Sequence, residues 1–101
     1  MSAYAILDVE IQDIAKYLQY QKLLAPLLEA ASARYLARGG EFQVFEGDYR
    51  PERLMLIEFP SLDVLQDFYG SAAVQALEPQ RDACTRSCII AVNGLPEPQD
   101  P

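Results

Sequence analysis

The chain has 101 residues, 50% of them hydrophobic and 23% charged, with a formal charge of −7. That is one domain's length, enough to bury a modest core. The acidic balance argues against a phosphate-tracking nucleic-acid binder and equally against an anionic membrane surface, since both need clustered Lys and Arg.

No apolar run approaches the roughly 18 residues of a membrane helix. The first residues also lack a basic stretch leading into an apolar one, so the cytoplasm is the expected location. Histidine is absent, which removes the commonest general base and every Ser–His or Cys–His pair. Cys84 and Cys88, four apart in CTRSC, cannot by themselves build a structural zinc site of the common kinds, and they read as buried or half-buried thiols. No metal or cofactor is expected.

Residues 3–11, AYAILDVEI, alternate: Ala5, Leu7, Val9 and Ile11 on one face, Tyr4, Ile6, Asp8 and Glu10 on the other. This predicts a strand with one apolar and one mixed face. Asp13 then suits an N-cap, its carboxylate accepting from the first free backbone N–H groups of a helix. Ile14, Tyr17, Leu18, Leu24, Leu27, Leu28 and Ala31 fall mostly at three- and four-residue steps and give that helix an apolar stripe. Pro26 removes a backbone donor inside the pattern and predicts a kink or break near residues 22–26.

Residues 34–46 read as a strand interrupted at Gly39-Gly40, where a bulge is expected. Beyond it Phe42 and Val44 share one face, and Glu41, Gln43 and Phe45 the other. A turn from Gly47 to Pro51 leads to RLMLIEF, residues 53–59, a buried strand that pairs with its predecessor as a hairpin. Pro60 ends it. Ser61 caps a second helix with Asp63 in its first turn and Leu62, Leu65, Phe68 and Tyr69 on its apolar side; Gly70 closes it. Ser71 caps a further helical stretch carrying Val74, Leu77, Arg81 and Cys84, and CIIAVN, residues 88–93, is the last strand. The domain is therefore residues 1–94, and LPEPQDP, residues 95–101, is an acidic proline-rich tail expected to be loosely attached.

Strand, helix, strand, strand, helix, strand is the order of a split βαβ, or ferredoxin-like βαββαβ, α+β fold. It implies a four-stranded antiparallel sheet with the helices on one face. The second face, carrying Tyr4, Ile6, Phe45, Asp8 and Glu58, needs a cover. Packing against the same face of a second copy supplies one, so a homodimer is expected.

RYLARGGEFQVFEGD, RLMLIEFPS and FYGSAAVQALEPQR together resemble domain of unknown function family 1330, of the dimeric α/β-barrel superfamily, over roughly residues 3–94. The most specific parts are Arg38-Gly39-Gly40, Glu46-Gly47, Glu58-Phe59-Pro60-Ser61, Tyr69 with Ser71, and Arg81. Phe68-Tyr69 stands where the family usually has Trp-Tyr. The resemblance implies a ferredoxin-like chain pairing as a dimeric α/β barrel and brings no established reaction. Relatives in the wider superfamily include monooxygenases, isomerases and cyclases acting on small hydrophobic molecules.

In such a fold the cleft between sheet and helices is where Arg38, Glu46, Glu58 and Arg81 would converge. An arginine there anchors a carboxylate or phenolate ligand, and a buried glutamate, Glu46 or Glu58, moves a proton. The competing reading is a structural ion pair fixing strand register or the dimer seam. Tyr20 and Tyr69 are candidate liners of the same cleft, although a tyrosine on a helix stripe is more often packing. Ser71 is a candidate contact that reads more simply as a helix cap. Asp8 requires a partner such as an arginine. Gly39-Gly40 is no phosphate loop, because GxxxxGK[ST] is missing and no helix start follows.

Two functions fit these residues. One is a homodimeric module that binds a small hydrophobic or carboxylate-bearing molecule. The other is a cofactor-independent isomerase, cyclase or monooxygenase on a small aromatic or polyketide-like substrate, and this requires a carboxylate of raised pKa in the cleft.

Overall fold

In the computed structural model, which describes residues 1–96, the chain begins with β1 (Ala3–Ile11), α1 (Ile14–Ala30), β2 (Arg34–Arg38) and β3 (Leu54–Phe59). It continues with α2 (Leu62–Gly70), α3 (Ala72–Gln75), α4 (Glu78–Cys84) and β4 (Thr85–Asn93). The sheet order is β2-β3-β1-β4, and each neighbouring pair is antiparallel. That is the ferredoxin-like arrangement. Apart from Leu95 and Pro96, the expected tail lies outside the described residues.

Alternation sets the layers. β1 buries Ala3, Ala5, Leu7 and Val9 beneath the helices and turns Tyr4, Ile6 and Asp8 to the other face. β3 does the same with Met55, Ile57 and Phe59. The helix layer answers with Tyr17, Tyr20, Leu24 and Leu28 of α1, and with Leu65 and Phe68 of α2. Ile14 and Leu18, assigned to the apolar stripe by spacing, are instead more than half exposed. The buried face of α1 is the Tyr17–Tyr20–Leu24–Leu28 line, a strict run of three- and four-residue steps.

The expected caps form. Asp13 Oδ1 accepts from Lys16 N at 3.1 Å and Ser61 Oγ from Val64 N at 3.1 Å. Ser71 Oγ accepts from Val74 N at 3.3 Å and donates to the Phe68 carbonyl at 2.7 Å, joining α2 to α3. α1 runs through Pro26 without the expected break. Lys22, whose carbonyl loses its partner there, is exposed, so water can replace the missing bond.

β2 is much shorter than expected. Its bulge lies between Tyr35 and Ala37 rather than at the glycine pair, and residues 39–53 form a loop. Gly39 leaves the ladder at φ 74°, donating a last bond to the Leu54 carbonyl at 2.8 Å. Phe42, Val44 and Phe45 are exposed on that loop, so Phe45 does not belong to the open sheet face. β4 begins three residues earlier than expected, directly after α4. Cys84 is buried, whereas Cys88 is exposed on the open face, opposite Asp8.

Candidate functional site

Between sheet and helix layer lies a cleft that narrows to a cavity of about 20 Å³, room for one water molecule. Its floor is Leu7, Val9, Met55 and Ile57, and Ser87 and Ile89 of β4 continue the floor outward. Tyr17, Tyr20 and Leu24 of α1, Tyr35 of β2, Tyr69 of α2 and Arg81 of α4 close it. Among the described residues, none that lines it is Asp, Glu or Lys. Over the edge of β4 the cleft opens into a groove of about 590 Å³, which shares Tyr69, Arg81, Ser87 and Ile89 with the inner cavity and adds Leu65 and Ile90.

Local structure fixes each polar group. Tyr69 is held by its aromatic neighbours: its ring lies edge-on to Phe68 at 5.0 Å and tilted against Phe59 at 6.3 Å. Arg81 sits in the last turn of α4, where the Thr85 hydroxyl donates to the Arg81 carbonyl at 2.8 Å. The Cys84 carbonyl at the same helix end accepts from Gln12 N at 2.8 Å, docking the β1–α1 connection against α4. Tyr17 and Tyr35 have partners: Gln21 Nε2 donates to the Tyr17 hydroxyl at 2.7 Å, and Tyr35 donates to Gln21 Oε1 at 3.4 Å. Tyr20 and Tyr69 have no hydroxyl partner among the described residues.

Burial raises the pKa of Tyr20 to about 12, and Arg81 offsets part of that rise. Burial likewise pushes Tyr69 far above the usual phenol range, with the Tyr20 and Tyr35 phenols adding to the rise and Arg81 again opposing it. Tyr17 is raised as well, chiefly by burial. These phenols stay protonated through the neutral range and act there as hydrogen-bond donors.

The expected convergence of Arg38, Glu46, Glu58 and Arg81 does not occur. Glu58 lies on the open face of the sheet, where Arg34 Nε meets its Oε1 at 2.7 Å. Glu46 is on the exposed loop. Arg38 lies on the helix side, its guanidinium 4.4 Å over the Tyr35 ring and donating to Gln21 Oε1 at 2.9 Å, outside the cavity lining. Ser71 is a cap between two helices and does not line the cleft. Of the expected residues the cleft brings together Tyr20, Tyr69 and Arg81. Tyr17, Gln21 and Tyr35 were not among them, although Tyr17, Tyr20 and Gln21 stand at helical three- and four-residue steps and so share one face.

Asp8 finds no arginine. The Tyr49 hydroxyl donates to its Oδ2, and the backbone N–H groups of Glu52 and Arg53 donate to Oδ1 at 2.9 and 3.3 Å. The Tyr49 bond is the main reason that the Asp8 pKa falls below its usual range, with the two backbone donors adding to it.

Comparison with known proteins places this geometry. A protein of unknown function from Rhodopseudomonas palustris superposes with a TM-score of 0.74 at 15% identity, covering 94% of this chain and 83% of that one. A dimeric ferredoxin-like protein of unknown function from Jannaschia sp. CCS1 gives 0.64 at 12% identity, with 91% and 98% covered. A dimeric protein of unknown function and ferredoxin-like fold from Bacteroides fragilis gives 0.61 at 13%, with 92% and 96% covered. No curated protein matches the chain. The ferredoxin-like topology agrees with a match over residues 2–95, nearly the whole described chain, and on that match the protein belongs to the family described as domain of unknown function DUF1330.

Proposed function

We propose that the protein is a homodimer that binds a small, largely apolar, carboxylate-bearing molecule in the cleft between sheet and helices. The observation that carries the binding reading is the meeting of Arg81, Tyr20 and Tyr69 at one apolar cavity whose lining, among the described residues, has no carboxylate, the exposed Asp82 beside Arg81 in sequence being the arginine's ion-pair partner at 3.3 Å. The inner cavity holds no more than a water, so a ligand's bulk belongs in the groove over β4, with its polar end reaching inward. Pairing is supported by the half-exposed apolar residues of the open face and by the dimeric state of the ferredoxin-like proteins from Jannaschia and Bacteroides fragilis.

The catalytic alternative, a cofactor-independent isomerase, cyclase or monooxygenase, asks for a proton-moving carboxylate in the cleft. Glu58 faces the other way and is ion-paired. Glu46 would serve a cleft only if its loop were brought there by a second copy. The binding reading therefore has the better support.

Native mass spectrometry of the purified protein, gently desolvated, tests both halves. The expected result is a dimer carrying a reproducible extra mass that Arg81→Gln removes. A monomer would overturn the pairing. An empty dimer that takes up none of a panel of aromatic carboxylates would overturn the binding.

A further inference from the structure

Among the described residues, Arg81 is the one charged residue lining both the inner cavity and the outer groove. Its side chain is only 20% exposed, and the sole carboxylate within ion-pair distance among the described residues is Asp82, its neighbour in sequence. Asp82 meets Nε at 3.3 Å from a position 68% exposed, where water competes for it. The terminal guanidinium nitrogens have no protein partner among the described residues. Those nitrogens still reach water, and a partly desolvated guanidinium with free N–H groups is well suited to receive an oxyanion in its place.

The groups around it have one character. α1 contributes Tyr20, with Tyr17 and Gln21 further along; α2 contributes Tyr69, β2 Tyr35, and β4 the hydroxyls of Thr85 and Ser87. Cys84 of α4, close enough to influence Tyr20, has a thiol kept neutral chiefly by burial. Arg38 and Arg53 act electrostatically on Tyr17 at the far end and add positive potential. The site thus combines one cation with neutral hydroxyl donors. Among the described residues its lining has no base to remove a ligand's proton; Arg81 and the hydroxyls favour a ligand that has already lost one, and the exposed, solvent-screened Asp82 opposes this only weakly.

We propose that the cleft is an oxyanion receptor. It takes a planar conjugated acid, whether carboxylic, phenolic or enolic, as the monoanion, with the charged oxygen on Arg81 and the hydroxyls of Tyr20 and Tyr69. The apolar body lies in the groove against Leu65 and Ile89. This deepens the binding reading and rests on it. Because the receptor keeps its charge across the neutral range, binding follows ionisation of the ligand: full above the ligand's own pKa and lost as pH falls through the lowered, bound-state value.

The test uses 4-nitrophenol, whose phenolate is read directly by its visible absorbance, titrated over pH with and without excess protein. Amide NMR shifts at Gly70, Ser87 and Ile89 report occupancy of the cleft independently. Bound probe is expected to ionise at least about one pH unit below free probe, equivalent to a tenfold preference for the anion. Arg81→Gln should return the midpoint to the free value, and Arg81→Lys should retain part of the shift. Tyr69→Phe, which removes only a hydroxyl, should reduce the shift and covers the case in which Arg81→Gln does not fold. Occupancy of the cleft with an unchanged midpoint would overturn anion selection while leaving the binding reading standing. A full shift in folded Arg81→Gln would also overturn it. Absence of any amide perturbation at millimolar probe would overturn the inference and the binding reading together.

Discussion

Gly39 and Gly40 look equivalent in the sequence and differ in the fold. Gly39 has φ 74°, and a Cβ there would fall 2.5 Å from the guanidinium carbon of Arg53. Gly40 would place its Cβ in open space. The guanidinium end of Arg53 can swing aside, but its Cγ, 2.9 Å from a Cβ at residue 39, is close to a backbone held by the bonds of its N–H to Asp8 and of its carbonyl to Val9 N at 3.0 Å. Gly39→Ala should therefore cost about 1–2 kcal/mol through left-handed strain and the displaced guanidinium. Gly40→Ala should stay within about 0.5 kcal/mol. Urea unfolding of the two variants decides it, and equal midpoints would mean that residues 39–40 relax freely. A glycine pair signals special backbone without saying which member needs it, so the sequence located the feature but mistook its nature. Asp8 makes the same point: its need for a partner was legible, yet the partners, Tyr49 and the amides of residues 52 and 53, lie more than forty positions away.

Elements whose determinants are local were legible: the alternation of β1 and β3, and the caps at Asp13, Ser61 and Ser71. The lost extension of β2 shows why others were not. EFQVFE alternates well, but a strand forms only where a neighbour offers free donors and acceptors. Opposite it, beyond Leu54, Pro51 has no N–H and the Glu52 and Arg53 amides are committed to Asp8. The cleft failed for a related reason, since converging side chains depend on which sheet face each strand turns toward the helices, and Glu58 turns away. Pro26 is a further element-scale case. It occupies an exposed position well inside the 17-residue α1, where it deletes one backbone bond yet leaves the helix continuous. Pro26→Ala should restore that bond and raise stability by about 1–3 kcal/mol, less the small advantage proline confers by restricting the unfolded chain. A higher midpoint in urea is the expected reading. A lower one would mean that the proline sets the bend by which Leu24 and Leu28 reach the core.

At the scale of the molecule the decisive dimension is thickness. The extents are 51 × 37 × 17 Å, one sheet and one layer of helices, so among the described residues no second layer covers the other face of the sheet, which is overlaid at its Asp8 end by Tyr49 of the loop 39–53. Across its middle, register places Leu56 of β3, Ile6 of β1 and Ile90 of β4 in one row, with Tyr4 and Val92 paired in the next. Ile90 is 57% and Val92 48% exposed, on an edge strand nine residues long whose outer backbone groups have no strand partner among the described residues. A two-fold axis near Ile6 would stack this row against its own copy and bury it. Ile90→Asp then places a carboxylate in the apolar centre of the interface. It should weaken pairing by at least about 2 kcal/mol, roughly thirtyfold or more in Kd. The isolated chain should tolerate it, because the side chain is already largely exposed there. Light scattering on a sizing column at micromolar concentration should find the parent chain as a dimer and the variant shifted toward monomer, with unchanged far-ultraviolet dichroism. Phe45→Asp, on the exposed loop 39–53, tests the other surface: a variant that dissociates while Ile90→Asp stays paired would move the interface from the sheet to that loop.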